Sequence, residues 1–405
     1  MAFEKPKFFR KILENGMTVI LEKRDLPVVS LGFALKAGAI HESLKEKGIS
    51  HFIEHMLYKG TKKRSAKDIA NELEKRGADV NGFTSEEVTA YWCKIPSKHI
   101  EIALDVLSDM IKNSVFDEKE VEKERKVIFE EIKMYHDNPQ AYTFKEITKM
   151  LYDGSFQIDI SGTFETMNSL SQEDLIKRFK KVYNPKNLIL CAVGDCDFDS
   201  LVEFAKKNFE KGNGEEPAKP SFNKKNQIKI EKREGLDQAN LIFAYHTPVF
   251  KEKKSSVAEV LNCLMADGMS SRLFSEIREK RNLAYAVKGG CESVKHFAYN
   301  LVYVGTTKEN VEAVKKIILE EFNKVSKSLT QKELDEVKEQ LISQYEISME
   351  NSQNQLFALI IHEAINNAKD FYDFEKNISA VSLEEIKELA TMAAKEYSFF
   401  ALVPE

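Results

Sequence analysis

Two histidines and a glutamate stand close together in the segment His51-Phe-Ile-Glu54-His55. On an α-helix these positions project from one face, because each residue turns the chain by about 100°. Two imidazoles one turn apart can bind the same divalent ion, and a carboxylate beside them can act as a base on a water molecule held there. The alternative is an amphipathic helix with two half-buried histidines and a solvated glutamate. The five residues alone do not decide between these interpretations.

A catalytic zinc site normally has three protein ligands, so a further ligand must come from elsewhere in the chain. The densest supply of carboxylates lies at 118–131, in a segment with the apolar spacing of an amphipathic helix. Glu124 and Glu131 are seven residues apart and share a face, whereas Glu130 points about 100° away. Spacing does not select among these glutamates, since most glutamates of such a helix simply face solvent.

Length and charge restrict the class of protein. A chain of 405 residues is long enough for two or three domains. Its net charge of −5 creates no field that favours nucleic acid or an anionic membrane, and no apolar run is long enough to span a bilayer. Residues 1–10 lack the apolar core of a signal peptide. The five cysteines are scattered without a C-x-x-C pair, which indicates free thiols and a reducing, cytoplasmic location.

Strand and helix patterns alternate along both halves of the chain. Asn15-Gly16 stands between two apolar runs and predicts a β-hairpin with a type I′ turn. Residues 211–225 read KGNGEEPAKPSFNKK, the composition of a linker. We therefore predict an N-terminal half at 1–212, a linker at 213–226 and a C-terminal half at 227–405.

The second half repeats the first in outline, which indicates an internal duplication rather than two unrelated domains. Gly268-Met-Ser-Ser echoes Gly48-Ile-Ser-His, a register that puts Ser271 and Ser275 in the places of His51 and His55. Only the first half would then carry metal ligands. The predicted fold class is α+β, with two homologous halves, each a mostly antiparallel β-sheet packed against helices.

The string HFIEHMLYKGTKK, followed about 70 residues later by ERKVIFEEI, resembles the pitrilysin/insulysin family of zinc peptidases. This family of inverzincins includes the mitochondrial processing peptidases, and the chain looks most like its small bacterial two-domain members. The resemblance covers nearly the whole chain and includes the segments 80–85, 183–190 and 270–287. One departure is visible at 156–160, where Phe-Gln-Ile-Asp-Ile replaces the His-Pro-Leu-Gly string of many relatives.

The resemblance implies a set of residue roles around a zinc ion. His51, His55 and Glu131 match the family's zinc ligands, and Glu54 matches its general base. Glu124 matches a glutamate that supports the site without binding the metal. The implied cofactor is Zn²⁺, and the implied activity is that of a zinc-dependent endopeptidase.

Two further groups of residues match family positions that bind substrate. Arg278 and Tyr285, separated by six residues, match a pair that holds the substrate backbone and stabilises the oxyanion; from the sequence alone such residues are more often structural. The segment Asn81-Gly82-Phe83-Thr84 matches a sheet edge that pairs with an extended peptide. This mode of recognition favours unfolded peptides and oligopeptides as substrates.

The family also implies an assembly. Relatives of double length enclose a chamber, so a chain of this size implies a homodimer whose sites are completed by the partner's C-terminal half. The alternative is a catalytically inactive peptide-binding or structural subunit of a family heterodimer. Because every expected site residue is present, the active peptidase is the preferred interpretation.

Overall fold

The computed structural model describes residues 6–210, 212, 214–250 and 254–405. Residues 1–5 of the segment searched for a signal peptide, and Lys211 and Asn213 at the predicted linker, lie outside the described residues. The chain forms two compact units. The first unit contains the chain up to Ile132, Ile158–Ser221 and Ser348–Phe371, and the second contains Lys133–Gln157, Phe222–Ile347 and Tyr372–Glu405. Each unit therefore includes a segment from the other part of the chain.

The first unit is built on a six-stranded sheet in the order β1-β2-β6-β3-β5-β4. Its β2–β6 pair is parallel and its other described pairs are antiparallel. Its strands are β1 (Lys7–Ile12), β2 (Thr18–Lys23), β3 (Val28–Leu35), β4 (Asp79–Thr84), β5 (Thr89–Pro96) and β6 (Leu188–Gly194).

Helices cover both faces of this sheet. Seven helices of the first unit come from the N-terminal half of the chain: α1 (Ile49–Leu57), α2 (Ala66–Glu74), α3 (Ile100–Asn113), α4 (Glu118–Asp137), α6 (Phe164–Ser169), α7 (Gln172–Val182) and α8 (Phe198–Asn208). An eighth, α12 (Ser352–Ile365), comes from late in the chain and packs on β3 and β6.

Polar contacts as well as apolar ones hold α12 to the sheet. Gln355 Nε2 donates a hydrogen bond of 2.7 Å to the buried Glu22 carboxylate of β2. Arg10 of β1 holds the buried Glu363 through two hydrogen bonds of 2.7 and 2.8 Å. Because a buried carboxylate is costly without partners, these bonds select one placement of the helix.

The second unit repeats this plan with five strands in the order β7-β11-β8-β10-β9, of which β7–β11 is the parallel pair. Its strands are β7 (Ile228–Arg233), β8 (Ala239–His246), β9 (Ala284–Ser293), β10 (Ala298–Thr306) and β11 (Ser398–Pro404). Its helices are α5 (Pro139–Leu151), α9 (Ser255–Ala266), a π-helix (Phe274–Glu279), α10 (Val311–Ser328), α11 (Gln331–Ser348), α13 (Phe374–Ser379) and α14 (Leu383–Ala393). The predicted fold class is confirmed.

Local signals in the sequence account for several boundaries. Ser65 begins α2 as its N-cap and accepts a hydrogen bond from the Asp68 N–H, and Gly77 follows the helix with φ +75°. The predicted hairpin joins β1 and β2, but its turn type is wrong. A type I′ turn needs positive φ at both central residues, whereas only Gly16 of the Asn15-Gly16 pair has it.

The register predicted for the duplication is also wrong. Helix α1 follows the central strand β3 and precedes the outermost strand β4 of the first unit. Helix α9 follows β8 and precedes β9 in the same way in the second unit, so α9 is the counterpart of α1. A Cβ on Gly82 would contact Glu54 and Tyr58, and a Cβ on Gly289 would contact Asn262 and Ala266. This pairing aligns Gly60 with Gly268. It puts Glu259, Asn262 and Cys263 in the places of His51, Glu54 and His55, while Ser271 and Ser275 lie beyond the helix.

The segment 156–160, where the sequence departs from the string of many relatives, begins within a 3₁₀ turn at Gly154–Gln157. In this turn the Phe156 ring stacks on the Tyr152 ring, with centroids 4.7 Å apart. All five cysteines belong to the described part of the chain and are free thiols. In that part, every helix is either too short or too polar to cross a membrane.

Candidate metal centre

Helix α1 carries the H-x-x-E-H residues and is fixed at its N-terminus by a buried carboxylate. Glu42 accepts hydrogen bonds from the backbone N–H groups of Gly48, at 2.9 Å, and Ser50, at 2.7 Å. These amides have no carbonyl partner within the helix, so the carboxylate both satisfies them and interacts favourably with the helix dipole. Burial raises the pKa of Glu42, whereas Lys47 and these hydrogen bonds act in the opposite direction.

The three predicted metal ligands converge on one point. Ligand atoms of His51, His55 and Glu131 lie within 4.8 Å of one another. Glu131 Oε2 is 3.6 Å from His51 Nε2 and 3.6 Å from His55 Nε2. Zinc bonds of about 2.0–2.2 Å in a tetrahedron place neighbouring ligand atoms about 3.4 Å apart. The donor set and its spacing therefore fit a zinc ion.

Glu124 lies seven residues before Glu131 on α4 and contacts the Nδ1 side of the His55 ring. Its Oε2 is 3.1 Å from His55 Nδ1, and its Oε1 is 2.5 Å from Lys59 Nζ. Burial alone would lower the pKa of His55, but hydrogen bonds to Glu124 and Glu131 and the nearby Glu54 charge raise it to about 9. The same concentration of negative charge favours a divalent cation.

Glu54 is a buried residue of α1 whose side chain contacts the edge strand β4. Thr84 Oγ1 donates a hydrogen bond of 2.8 Å to its Oε2. Burial raises the pKa of Glu54, the Thr84 hydrogen bond and His55 lower it, and Glu131 raises it further. A carboxyl with a raised pKa is suited to accept a proton and pass it on near neutral pH.

The predicted substrate strand Asn81–Thr84 belongs to β4, which is the outermost described strand on its side of the sheet. A Cβ on Gly82 would lie 2.9 Å from Tyr58 Oη and 3.1 Å from Glu54 Oε1. A side chain at position 82 would therefore displace the Tyr58 hydroxyl and crowd the Glu54 carboxylate. Asn81 is exposed, and Phe83 packs edge-to-face on Phe357 of α12 with ring centroids 5.4 Å apart. The edge brings Thr84 to the candidate base.

Arg278 and Tyr285 both lie in the second unit. Arg278 is on the π-helix with its guanidinium 4.8 Å from the Phe274 ring centroid, and Tyr285 is an exposed residue of β9. Arg281 pairs with Glu276. The side chains of Arg278 and Tyr285 are accessible, as substrate-binding residues must be. The role of these two residues towards the metal centre stays a prediction.

Sequence reasoning missed two residues of the centre. Lys59 stands four residues after His55, in the turn just beyond the end of α1, and the i, i+4 spacing could have identified it. Glu42 lies in the loop before α1, and no spacing rule connects such a residue with a helix N-terminus. Its contribution is visible only in the folded chain.

Comparison with known proteins agrees with this architecture. The sequence profile described as "Insulinase (Peptidase family M16)" matches residues 18–163, and that described as "Peptidase M16 inactive domain" matches residues 169–341. A Bacillus subtilis protein named "Uncharacterized zinc protease YmxG" is 31% identical over 402 residues, which cover 97% of each chain. The bovine mitochondrial-processing peptidase subunit beta is 37% identical over 213 residues, 51% of this chain and 44% of that protein.

Solved structures share the fold. A protease from Helicobacter pylori superposes with a TM-score of 0.92 over 99% of this chain and 100% of its own, at 23% identity. An M16-like peptidase from Alicyclobacillus acidocaldarius gives 0.84 over 100% of both chains. Two homologous α+β units with an inverted H-x-x-E-H helix define a class of zinc peptidase-like proteins. This chain belongs to peptidase family M16, as a small two-domain member.

Proposed function

We propose that the chain is a zinc-dependent endopeptidase that hydrolyses unfolded peptides. The observation that carries the proposal is the convergence of His51, His55 and Glu131 at the spacing of a zinc site, with Glu54 on the same helix. When bound there, zinc would supply Lewis-acid polarisation of the scissile carbonyl and lower the pKa of water.

The protein's own residues would move the proton and hold the peptide. Glu54 would accept the proton of the attacking water and deliver it to the leaving amine, with Thr84 holding one carboxylate oxygen in place. The β4 edge at Asn81–Thr84 would pair with the peptide backbone as an added strand. Such pairing needs an extended substrate, which is why unfolded peptides fit better than folded proteins.

Arg278 and Tyr285 complete the proposal. They would bind the substrate backbone and donate hydrogen bonds to the oxyanion, a stabilisation of about 3–4 kcal/mol for a well-placed donor. We propose that they act from the partner subunit of a homodimer. The five free cysteines support a reducing, cytoplasmic setting.

Zinc analysis combined with peptide hydrolysis tests the proposal. We expect about one zinc per chain and cleavage of a quenched fluorescent peptide from a mixed library. Glu54→Gln should lower kcat by about 10²–10⁴-fold because it removes the base, while zinc content stays at the wild-type level.

Glu131→Gln should lose both zinc and activity, and Glu130→Gln should lose neither, because Glu130 is an exposed neighbour on the same helix. A wild-type chain that binds no zinc, or a Glu54→Gln variant that retains full activity, would overturn the proposed function. Zinc binding without hydrolysis of any library peptide would favour the inactive peptide-binding subunit.

A further inference from the structure

Lys59 and His55 contact the same carboxylate, His55 from the last turn of α1 and Lys59 from the turn that follows the helix. Lys59 Nζ lies 2.5 Å from Glu124 Oε1, and His55 Nδ1 lies 3.1 Å from Glu124 Oε2. Lys59 is the second residue after α1 ends at Leu57, so the end of the helix and the turn after it present the two donors. Each oxygen of Glu124 is therefore engaged by a different residue.

This arrangement determines which nitrogen of His55 can bind metal. An ionised carboxylate only accepts hydrogen bonds, so a contact with Glu124 places the ring proton on Nδ1. The lone pair is then on Nε2, the atom that lies 3.6 Å from Glu131. Carboxylates that hold a metal-binding histidine in this way commonly change metal affinity when they are altered.

Glu124 itself needs a cation. Its side chain is only 8% exposed, and an ionised buried carboxylate is unfavourable without a charged partner. Lys59, at 29% exposure, reaches the carboxylate from the C-terminal end of α1, where a positive charge also complements the helix dipole.

The neighbouring contacts of α4 do not replace this contact. Arg125, the next residue, donates to the carbonyl oxygens of Met167 and Leu170 and lies 5.3 Å from the Phe52 ring centroid. These contacts place the backbone of α4. They leave the rotation of the Glu124 carboxylate to be set by Lys59 and His55.

We infer that Lys59 is a positioning residue of the metal centre: it holds Glu124 in the orientation that directs His55 Nε2 towards the metal. The inference rests on the proposed function, since it concerns the same zinc site. Without the ammonium group, Glu124 can rotate away from His55 or turn towards the metal itself. Either change weakens the intended coordination.

Zinc affinity, measured by competition with a chromophoric chelator, is the direct test. Lys59→Met should raise the zinc Kd by about 10–100-fold, and Lys59→Arg should restore most of the affinity because it keeps the charge and a donor. Lys62→Met is the matched control, an exposed lysine three residues further along. It should bind zinc like the wild type.

A double-mutant cycle separates positioning from general destabilisation. In a Glu124→Gln background, Lys59→Met should add little to the loss in zinc affinity, because its partner is already neutral. The inference is overturned if Lys59→Met binds zinc as tightly as the wild type, or if its effect is as large in the Glu124→Gln background. Should Lys59→Met fold poorly, Lys59→Gln and Lys59→Arg in the same cycle decide the question. Failure of the wild type to bind zinc would instead reject the proposed function.

Discussion

Thr84 hydrogen-bonds the side chain that the proposal makes the catalytic base. Its hydroxyl holds Glu54 Oε2 at 2.8 Å, while Oε1 lies close to Gly82 of β4. A hydrogen bond to a charged group contributes roughly 1.5–3 kcal/mol, so its loss should be measurable in the chemical step. The residue was expected from the sequence to contact substrate, and the structure adds a contact with the base.

We therefore predict that Thr84→Val, which keeps the side-chain shape, lowers kcat by about tenfold or more. Zinc content should not change, because the Thr84 hydroxyl donates to Glu54, which is not one of the three ligand residues. Thr84→Ser should recover most of the activity by restoring the hydroxyl. Steady-state kinetics with zinc analysis checks this, and unchanged kcat in Thr84→Val would show that the hydrogen bond does not position the base.

At the scale of elements, α12 makes the first unit depend on a segment from late in the chain. His362 of this helix packs edge-to-face on Phe371, with ring centroids 5.4 Å apart. Burial lowers its pKa to about 4, against a smaller opposing effect of Asp370. The folded protein thus keeps this imidazole neutral at pH values where the unfolded chain, with a pKa near 6.5, takes up a proton.

The consequence is a loss of stability in acid. The contribution of His362 is fully present above about pH 6.5 and is lost as the pH falls towards 4, by at most about 3 kcal/mol. Urea unfolding at pH 7 and pH 4.5 should show a smaller pH-dependent loss in His362→Leu than in the wild type. His136→Gln, which removes an exposed histidine, serves as the control. Equal losses in His362→Leu and the wild type would contradict this assignment.

At the scale of the whole molecule, the proposed homodimer assigns the metal ligands and the Arg278–Tyr285 pair of each site to different subunits. Two inactive variants then carry complementary defects: Glu54→Gln lacks the base, and Arg278→Ala/Tyr285→Phe lacks the oxyanion donors. In a mixed dimer, one of the two sites combines an intact base with intact donors.

Mixing these two variants in equal amounts, with subunit exchange, should therefore restore about a quarter of the wild-type activity. Each variant alone should stay inactive at the same total concentration. Size-exclusion chromatography with light scattering gives the oligomeric state in parallel. An active monomer, or a mixture that regains nothing despite exchange, would reject assembly of the site from two subunits.

Periodicity and capping residues are local properties, and the sequence alone was sufficient for the features that depend on them. Asn15-Gly16 predicts the hairpin that joins β1 and β2, Ser65 is the N-cap with which α2 begins, and the His51–Glu54–His55 spacing places three groups on one helix face. The choice of Glu131 among the acidic residues of α4 needed the family resemblance. Helical spacing sets the face of a residue on its own helix and says nothing about which other element that face meets.

Tertiary structure decided the contacts between residues that are distant in the chain. Glu131 lies 76 residues after His55, Thr84 reaches Glu54 from strand β4, and Glu42 binds the start of α1 from a loop. The structure also corrected the register of the duplication. The sequence prediction relied on a short similarity at Gly268, whereas the order of strands and helices makes α9 the counterpart of α1. The physical reason is the same in each case: these positions are selected by burial and by hydrogen bonds made only when distant segments pack together.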